Sequence, residues 1–401
     1  MLIDKLIDYV KYETTSYEQS DTFPSSEGQW DLARHLLDEL NNLGLKNTVL
    51  DEYCYVYGYL DGDHSLPTIG FLGHMDTSEQ ASGKDVKPRI IENYDGKDII
   101  LNENVITEVK RFPDLKDYIG KTLLVSDGNT LLGADDKAGI AIIMEVLETL
   151  INNPELKHGP IWVCFSPDEE VGRGTDHFNY DLFKVDYAYT VDGDKPNCIE
   201  YENFNAASAV VKINGISVHP GSAKDKMVNA LQVAIDFHNK LDPNARAEKT
   251  ENYEGFNLLL GLEGEVASAK MQYIIRNHDI DLLNKQKHDF ELIRDELNKQ
   301  YGYEVVELTL TDSYRNMKEK FKDNKTPIEL VKKAMSEIGL DYKEVAIRGG
   351  TDGARLTWNG ILCPNIGTGG QNFHGVHEFW CKEDGEKVVE LVLKMLEMAK
   401  K

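Results

Sequence analysis

The chain's 401 residues exceed the roughly 250–300 that one hydrophobic core usually organises, so two domains are expected. A formal net charge of −25 opposes nucleic acid and anionic membrane as partners, and no stretch approaches the roughly 20 uninterrupted apolar residues that cross a bilayer. With 41% apolar and 28% charged residues, and five cysteines (Cys54, Cys164, Cys198, Cys363, Cys381) in no paired short-spacing motif, the composition is that of a soluble globular protein of a reducing compartment; a cytoplasmic location is expected.

The first ten residues carry acids within an apolar period and no basic lead, which predicts an amphipathic helix rather than a signal peptide. Ser26 and Gln29 fit a capping box that opens a helix through Leu32, Leu36, Leu37 and Leu40, closed by Gly44. Strands are expected over 47–50 and 53–60. Residues 68–72 read as a buried strand that delivers His74 and Asp76 at its carboxyl end. Residues 80–130 are irregular apart from short strand candidates at 99–101 and 122–125. The spacing of Ile140, Ile143, Met144, Leu147 and Leu150 predicts a helix over 136–150, with Asp135 at its entrance. Residues 161–165 and 187–191 read as further buried strands. This alternation predicts an α/β sheet with helices on both faces and a ligand crevice beyond the strand ends.

Near Asn205 the texture changes. Strand signals at 206–213, 270–275 and 305–311 alternate with helical periods at 227–241 and 280–299, which predicts a second α+β domain inserted into the first. The chain then returns through a helix at 327–338, a strand at 344–347, the loop Arg348-Gly-Gly-Thr-Asp-Gly353 and a final helix from Gly385.

Five short clusters lie beside or beyond apolar runs: His74-Met-Asp76, Asp135-Asp136, Glu169-Glu170, Asp192 and His374. They offer imidazole and carboxylate donors with no thiolate, which suits two borderline or hard divalent ions rather than a structural cysteine-rich zinc site. Adjacent glutamates in extended or turning backbone point different ways, so one can bind a metal while the other faces what the metal holds. The glycine loop 348–353 has no lysine and serine of a phosphate cradle.

These motifs resemble the peptidase T family, tripeptide aminopeptidases of the di-zinc aminopeptidase and carboxypeptidase superfamily. The resemblance extends over the whole chain through Ser26-Glu-Gly-Gln-Trp30, Leu131-Leu-Gly-Ala-Asp-Asp-Lys-Ala-Gly139, Pro167-Asp-Glu-Glu-Val-Gly172, Glu202-Asn-Phe-Asn-Ala-Ala-Ser208, Val218-His-Pro-Gly221, Tyr273-Ile-Ile-Arg276 and Phe373-His-Gly375. It implies a catalytic domain of 1–204 and 315–401, a mixed sheet flanked by helices, and an inserted α+β lid or dimerisation domain of 205–314. It further implies two Zn2+ per subunit: Asp135 bridging, His74 and Asp192 completing one site, Glu170 and His374 the other, with a cis peptide between Asp135 and Asp136. Glu169 is then the general base for a metal-bridging water, and Asp76 orients His74. His219 matches a residue that stabilises the oxyanion, or is a turn histidine before Pro220. Arg276 is a clamp for the substrate's terminal carboxylate, or a structural ion-pair residue. The expected partner is a small peptide substrate, and a homodimer is possible by analogy. The chain departs from the family pattern at Asp194-Lys-Pro-Asn-Cys198, where a glycine-rich run is expected; Asp194 is a contact for the substrate's amine or a solvated loop acid. Competing readings are another amidohydrolase of the superfamily, such as a dipeptidase or N-acyl amino acid deacylase, and a catalytically silent metal-binding scaffold. An intact Glu169 argues against the scaffold.

Overall fold

The computed structural model describes residues 1–400, which divide into two compact units: 1–201, 320–345 and 351–400 form the first, 202–319 and 346–350 the second. The first is built on an eight-stranded sheet ordered Lys46–Leu50, Val56–Leu60, Ile161–Ser166, Ile69–His74, Tyr187–Gly193, Asn365–Gly367, Cys198–Asn203, Lys343–Ile347. Ile69–His74 and Ile161–Ser166 are parallel and buried at every position, which is why their sequences are continuous apolar runs without alternation. The register of these strands aligns their carboxyl ends. His74 lies opposite Ser166, and Leu72 opposite Thr190, so His74, Ser166 and Asp192 end level at one edge of the sheet.

The helix Ala134–Asn152 packs on Ile69–His74 and Tyr187–Gly193 and against the helices Leu2–Tyr9 and Lys382–Met398. Its approach is very close. A Cβ on Gly139 would stand 1.8 Å from the carbonyl oxygen of Val191, so only glycine lets the helix meet the strand that carries Asp192. The helix starts two residues earlier than its apolar period suggests, and Asp135 and Asp136 inside it are non-helical and joined by a cis peptide bond. Elsewhere, the helix Gly28–Asn42 packs on Lys46–Leu50 and Val56–Leu60, and Tyr55, Tyr57, Trp162, Phe178 and Phe183 share a core cluster. The capping box expected there does not form. Glu27 is the N-cap and makes no side-chain cap, while Gln29 turns to Asp168 at 2.8 Å and to Ser26 at 3.1 Å. A smaller sheet joins Gly370–Gln371, Phe379–Cys381, Leu123–Val125 and Arg89–Ile91; of these short strands only Leu123–Val125 is expected from the sequence.

The second unit is an antiparallel sheet ordered Phe256–Gly264, Ser268–Asn277, Asn205–Asn214, Val306–Tyr314, with the helices Ala230–Lys240 and Ile280–Tyr301 packed on it. Alternate residues Ala207, Ala209, Val211, Ile213 and Met271, Tyr273, Ile275 enter its core with Phe237 and Phe290. Asn229 and Asp279 cap the two helices, and Gly302, at φ 75°, closes the second. The unit takes in more chain than the sequence texture suggests, because asparagines tie its exit and return together. Asn316 donates its N–H to Asn205 Oδ1 (2.9 Å), Met317 donates to Asn203 Oδ1 (2.8 Å), and both Asn205 and Asn316 donate to the carbonyl of His278. Residues 346–350 also belong here. Arg348 holds the turn at 250–254 through the carbonyls of Asn252 (2.6 Å) and Glu254 (3.0 Å).

Gly139→Ala is expected to lower stability by about 1–3 kcal/mol, the usual range for overpacking a tight core. Urea unfolding read by fluorescence checks this; an unchanged midpoint means that the helix does not need the close approach to Val191.

Candidate metal centre

Each candidate ligand projects from the point where the chain leaves the sheet edge or enters a helix. His74 ends its strand, Asp192 occupies the level position on the next, Asp135 opens the helix, Glu170 lies on the turn after Ile161–Ser166, and His374 lies between the short strands Gly370–Gln371 and Phe379–Cys381. The structure brings all five together. His74 Nε2 is 3.1 Å from Asp135 Oδ1 and 3.5 Å from Asp192 Oδ1; His374 Nε2 is 3.0 Å from both Asp135 Oδ2 and Glu170 Oε2. They form two triads, His74–Asp135–Asp192 and Asp135–Glu170–His374, that share one carboxylate.

Donors arranged tetrahedrally about an ion at about 2.0–2.1 Å lie roughly 3.3 Å apart, close to the histidine–carboxylate separations of both triads. Two further observations fit a cation. Glu170 Oε1 is buried with no hydrogen-bond partner, an acceptor that lacks its positive charge. His74 Nδ1 lies 3.0 Å from the main-chain carbonyl of Asp76, which fixes the proton on Nδ1 and turns the Nε2 lone pair to the carboxylates.

The electrostatics agree. Burial pushes Glu170 and Asp192 each up to about 7 and raises Glu169 well above its ordinary value. Hydrogen bonds to Asp135 and Glu170 lift His374 to about 11. Burial also acts to raise Asp135, but the hydrogen bonds of His374 and His74 outweigh it and hold this carboxyl below the usual range. Burial thus favours protons on these carboxyls, and a divalent cation competes for the same lone pairs.

Asp76 is placed somewhat differently from expectation. Its carbonyl faces His74, whereas its carboxylate accepts the N–H groups of Glu169 (2.9 Å) and Glu170 (3.1 Å), with Oδ1 3.4 Å from His74 Nδ1. It therefore aims the glutamate turn as well as the histidine. The Glu169 side chain has no hydrogen-bond partner among the described residues. Three buried acids unassigned from sequence support the same turns. Asp168, in the left-handed region at φ 55°, accepts from Ser25 N–H and Oγ and from Gln29; Asp136 accepts from His74 N–H at 3.2 Å; Glu378 accepts from Leu132, Gly133 and Asp135. The signal available was their place, an acid next to a ligand or beside an apolar run, such as Glu378 before Phe379-Trp380-Cys381.

His219 and Arg276 belong to the second unit. His219 is exposed, and its Nδ1 accepts the Gly221 N–H at 3.1 Å. Arg276 donates to the carbonyls of Ala207 and Ile275 and lies 5.1 Å over the Tyr314 ring; it pairs with no carboxylate among the described residues. In the first unit Asp194 is exposed, and its carbonyl accepts from Thr368 and Gly369, which fixes that loop's backbone.

The shared-carboxylate pair of triads on an α/β sheet defines a metal-dependent peptidase of the class described as family M20/M25/M40, whose model matches residues 126–398. Over 401 residues the chain is 50% identical to peptidase T of Caldanaerobacter subterraneus subsp. tengcongensis, covering 99% of this chain and 98% of that one. It is 48% identical over 406 residues to peptidase T of Alkaliphilus oremlandii, covering 100% and 99%. The crystal structure of aminopeptidase PepT from Bacillus cereus superposes with a TM-score of 0.78 at 22% identity, over 99% of this chain and 97% of that one. The chain belongs to the peptidase T family.

Asp135→Ala removes a donor from both triads and is expected to leave neither ion bound after dialysis, whereas His374→Ala retains one. Elemental analysis of metal per chain checks this, and two ions retained by Asp135→Ala would contradict the shared role.

Proposed function

We propose that the chain is a zinc-dependent tripeptidase that releases the N-terminal residue of an unblocked tripeptide. The observation that carries this reading is the pair of triads sharing Asp135, with the untethered carboxylate of Glu169 on the same turn as Glu170. His74 and Asp192 would hold one Zn2+, Glu170 and His374 the other, and Asp135 both. Once bound, such ions polarise a peptide carbonyl and bring the pKa of water towards neutrality.

Glu169 takes the proton of the attacking water and passes it to the leaving amine. Asp76 fixes the backbone from which Glu169 and Glu170 diverge. His219 has its Nδ1 occupied by an N–H, so its proton resides on Nε2, available to a developing oxyanion. Arg276, without an acidic partner, binds the terminal carboxylate of the substrate and so selects free peptides. All five cysteines are free and buried, which accords with a cytoplasmic location. No helix among the described residues is long and apolar enough to cross a membrane.

The direct test is product analysis with zinc-loaded protein on free, N-acetylated and C-amidated forms of one tripeptide. Release of the first residue from the free form alone is expected; hydrolysis of the acetylated form in its place would indicate a deacylase. Glu169→Gln should keep two zinc ions and lose at least about 100-fold in kcat. Glu170→Gln should lose affinity at one site and recover partly with excess zinc, and loss of an ion from Glu169→Gln would exchange the two roles.

Arg276→Ala should raise KM strongly and abolish the preference for a free over an amidated carboxyl terminus, with zinc content unchanged. A preserved ratio between the two substrates would confine Arg276 to its contacts with Tyr314 and the backbone.

A further inference from the structure

The helix Ala134–Asn152 begins without a cap of its own: Gly133, at φ 82°, is its N-cap residue and has no side chain to offer. The N–H groups at its entrance are nevertheless satisfied from far away in sequence. Glu378 Oε2 accepts from Leu132 (2.7 Å) and Gly133 (2.8 Å), and Oε1 accepts from Asp135 (3.1 Å). The glutamate is 1% exposed, and these three N–H groups satisfy both of its oxygens. The same short turn also carries His374, and Glu378 donates its own N–H back to Gly375 at 3.1 Å, which closes the turn. Asp135 is thus gripped twice by one turn: through its side chain by His374 (3.0 Å) and through its backbone by Glu378.

We propose that Glu378 is the positioning residue of the shared carboxylate, holding the Asp135 backbone so that Oδ1 and Oδ2 face His74 and His374 at once. The inference rests on the two-ion reading of the triads and adds one consequence that loss of a single-site ligand does not have. Removing His374 weakens one site; displacing Asp135 weakens both. Partners that orient metal ligands typically change metal affinity by about 10–100-fold when altered. In Glu378→Gln an amide N–H must face one of three backbone N–H groups, so the entrance of the helix shifts while every ligand remains.

The experiment is zinc titration of the metal-free full chain against a chromophoric chelator, for the native protein, Glu378→Gln, Glu378→Asp and Trp380→Phe. Trp380 is buried in the adjoining strand and donates its Nε1–H to Thr368, so its variant controls for general loss of stability in the same region. Expected are two Kd values both raised about 10–100-fold in Glu378→Gln, a smaller parallel rise in Glu378→Asp, and native values in Trp380→Phe at a comparable fall in Tm. Should Glu378→Gln fail to fold, the parallel rise in Glu378→Asp carries the test. Native affinities in the Glu378 variants, a loss confined to one site, or an equal loss in Trp380→Phe would overturn the proposal. A native chain that does not bind two ions would instead refute the metal reading beneath it.

Discussion

Negative charge gathered at one sheet edge is the constraint on which the first unit turns. Asp135, Glu169, Glu170 and Asp192 are drawn from water into one cluster that contains only two imidazoles. Removing an ionised carboxylate from water costs several kcal/mol even after relaxation. A cluster of this kind persists in a folded chain only if protons or cations balance it. The orphaned Glu170 Oε1, the raised Glu169, Glu170 and Asp192, and the Nε2 lone pair turned inward on His74 all answer that one requirement.

The fold meets the requirement through register and support. Parallel strands ending level put His74 and Asp192 side by side, and the glycine contact at Val191 brings the helix bearing Asp135 against them. Backbone N–H groups then fix the turns through buried carboxylates. Asp136 takes the N–H of His74, Asp76 takes those of Glu169 and Glu170, and Glu378 takes that of Asp135. Each turn that carries a ligand is thereby tied to another such turn. Geometry at the centre is a property of this network more than of any single loop.

Much of this was legible in the sequence, for physical reasons. Fully buried parallel strands must be continuous apolar runs, so residues 68–72, 161–165 and 187–191 announced themselves, as did the acids and histidines just beyond them. The alternation of Val211 and Ile213 with Lys212 and Asn214 likewise marked the second unit's sheet. The edge strand Phe256–Gly264, half exposed and containing Gly261, and the strands Arg89–Ile91, Gly370–Gln371 and Phe379–Cys381 of the small sheet carry too little pattern to be read, whereas the apolar run of Leu123–Val125 marked its strand. The supporting acids were hidden for a different reason. Asp168, Asp136 and Glu378 act on backbone groups as far as 246 positions away, and no local spacing records such a partner. Gln29 illustrates the same limit: its local capping pattern was plain, yet its carboxamide is bound to Asp168.

Anomalous diffraction from crystals of the zinc-loaded chain, recorded on both sides of the zinc edge, addresses the central claim most directly. Two peaks per chain are predicted, about 3.5–4 Å apart as in other two-metal sites. One should be ligated by His74 and Asp192, the other by Glu170 and His374, with Asp135 contributing an oxygen to each. A single peak, or two peaks that do not share Asp135, would contradict the account.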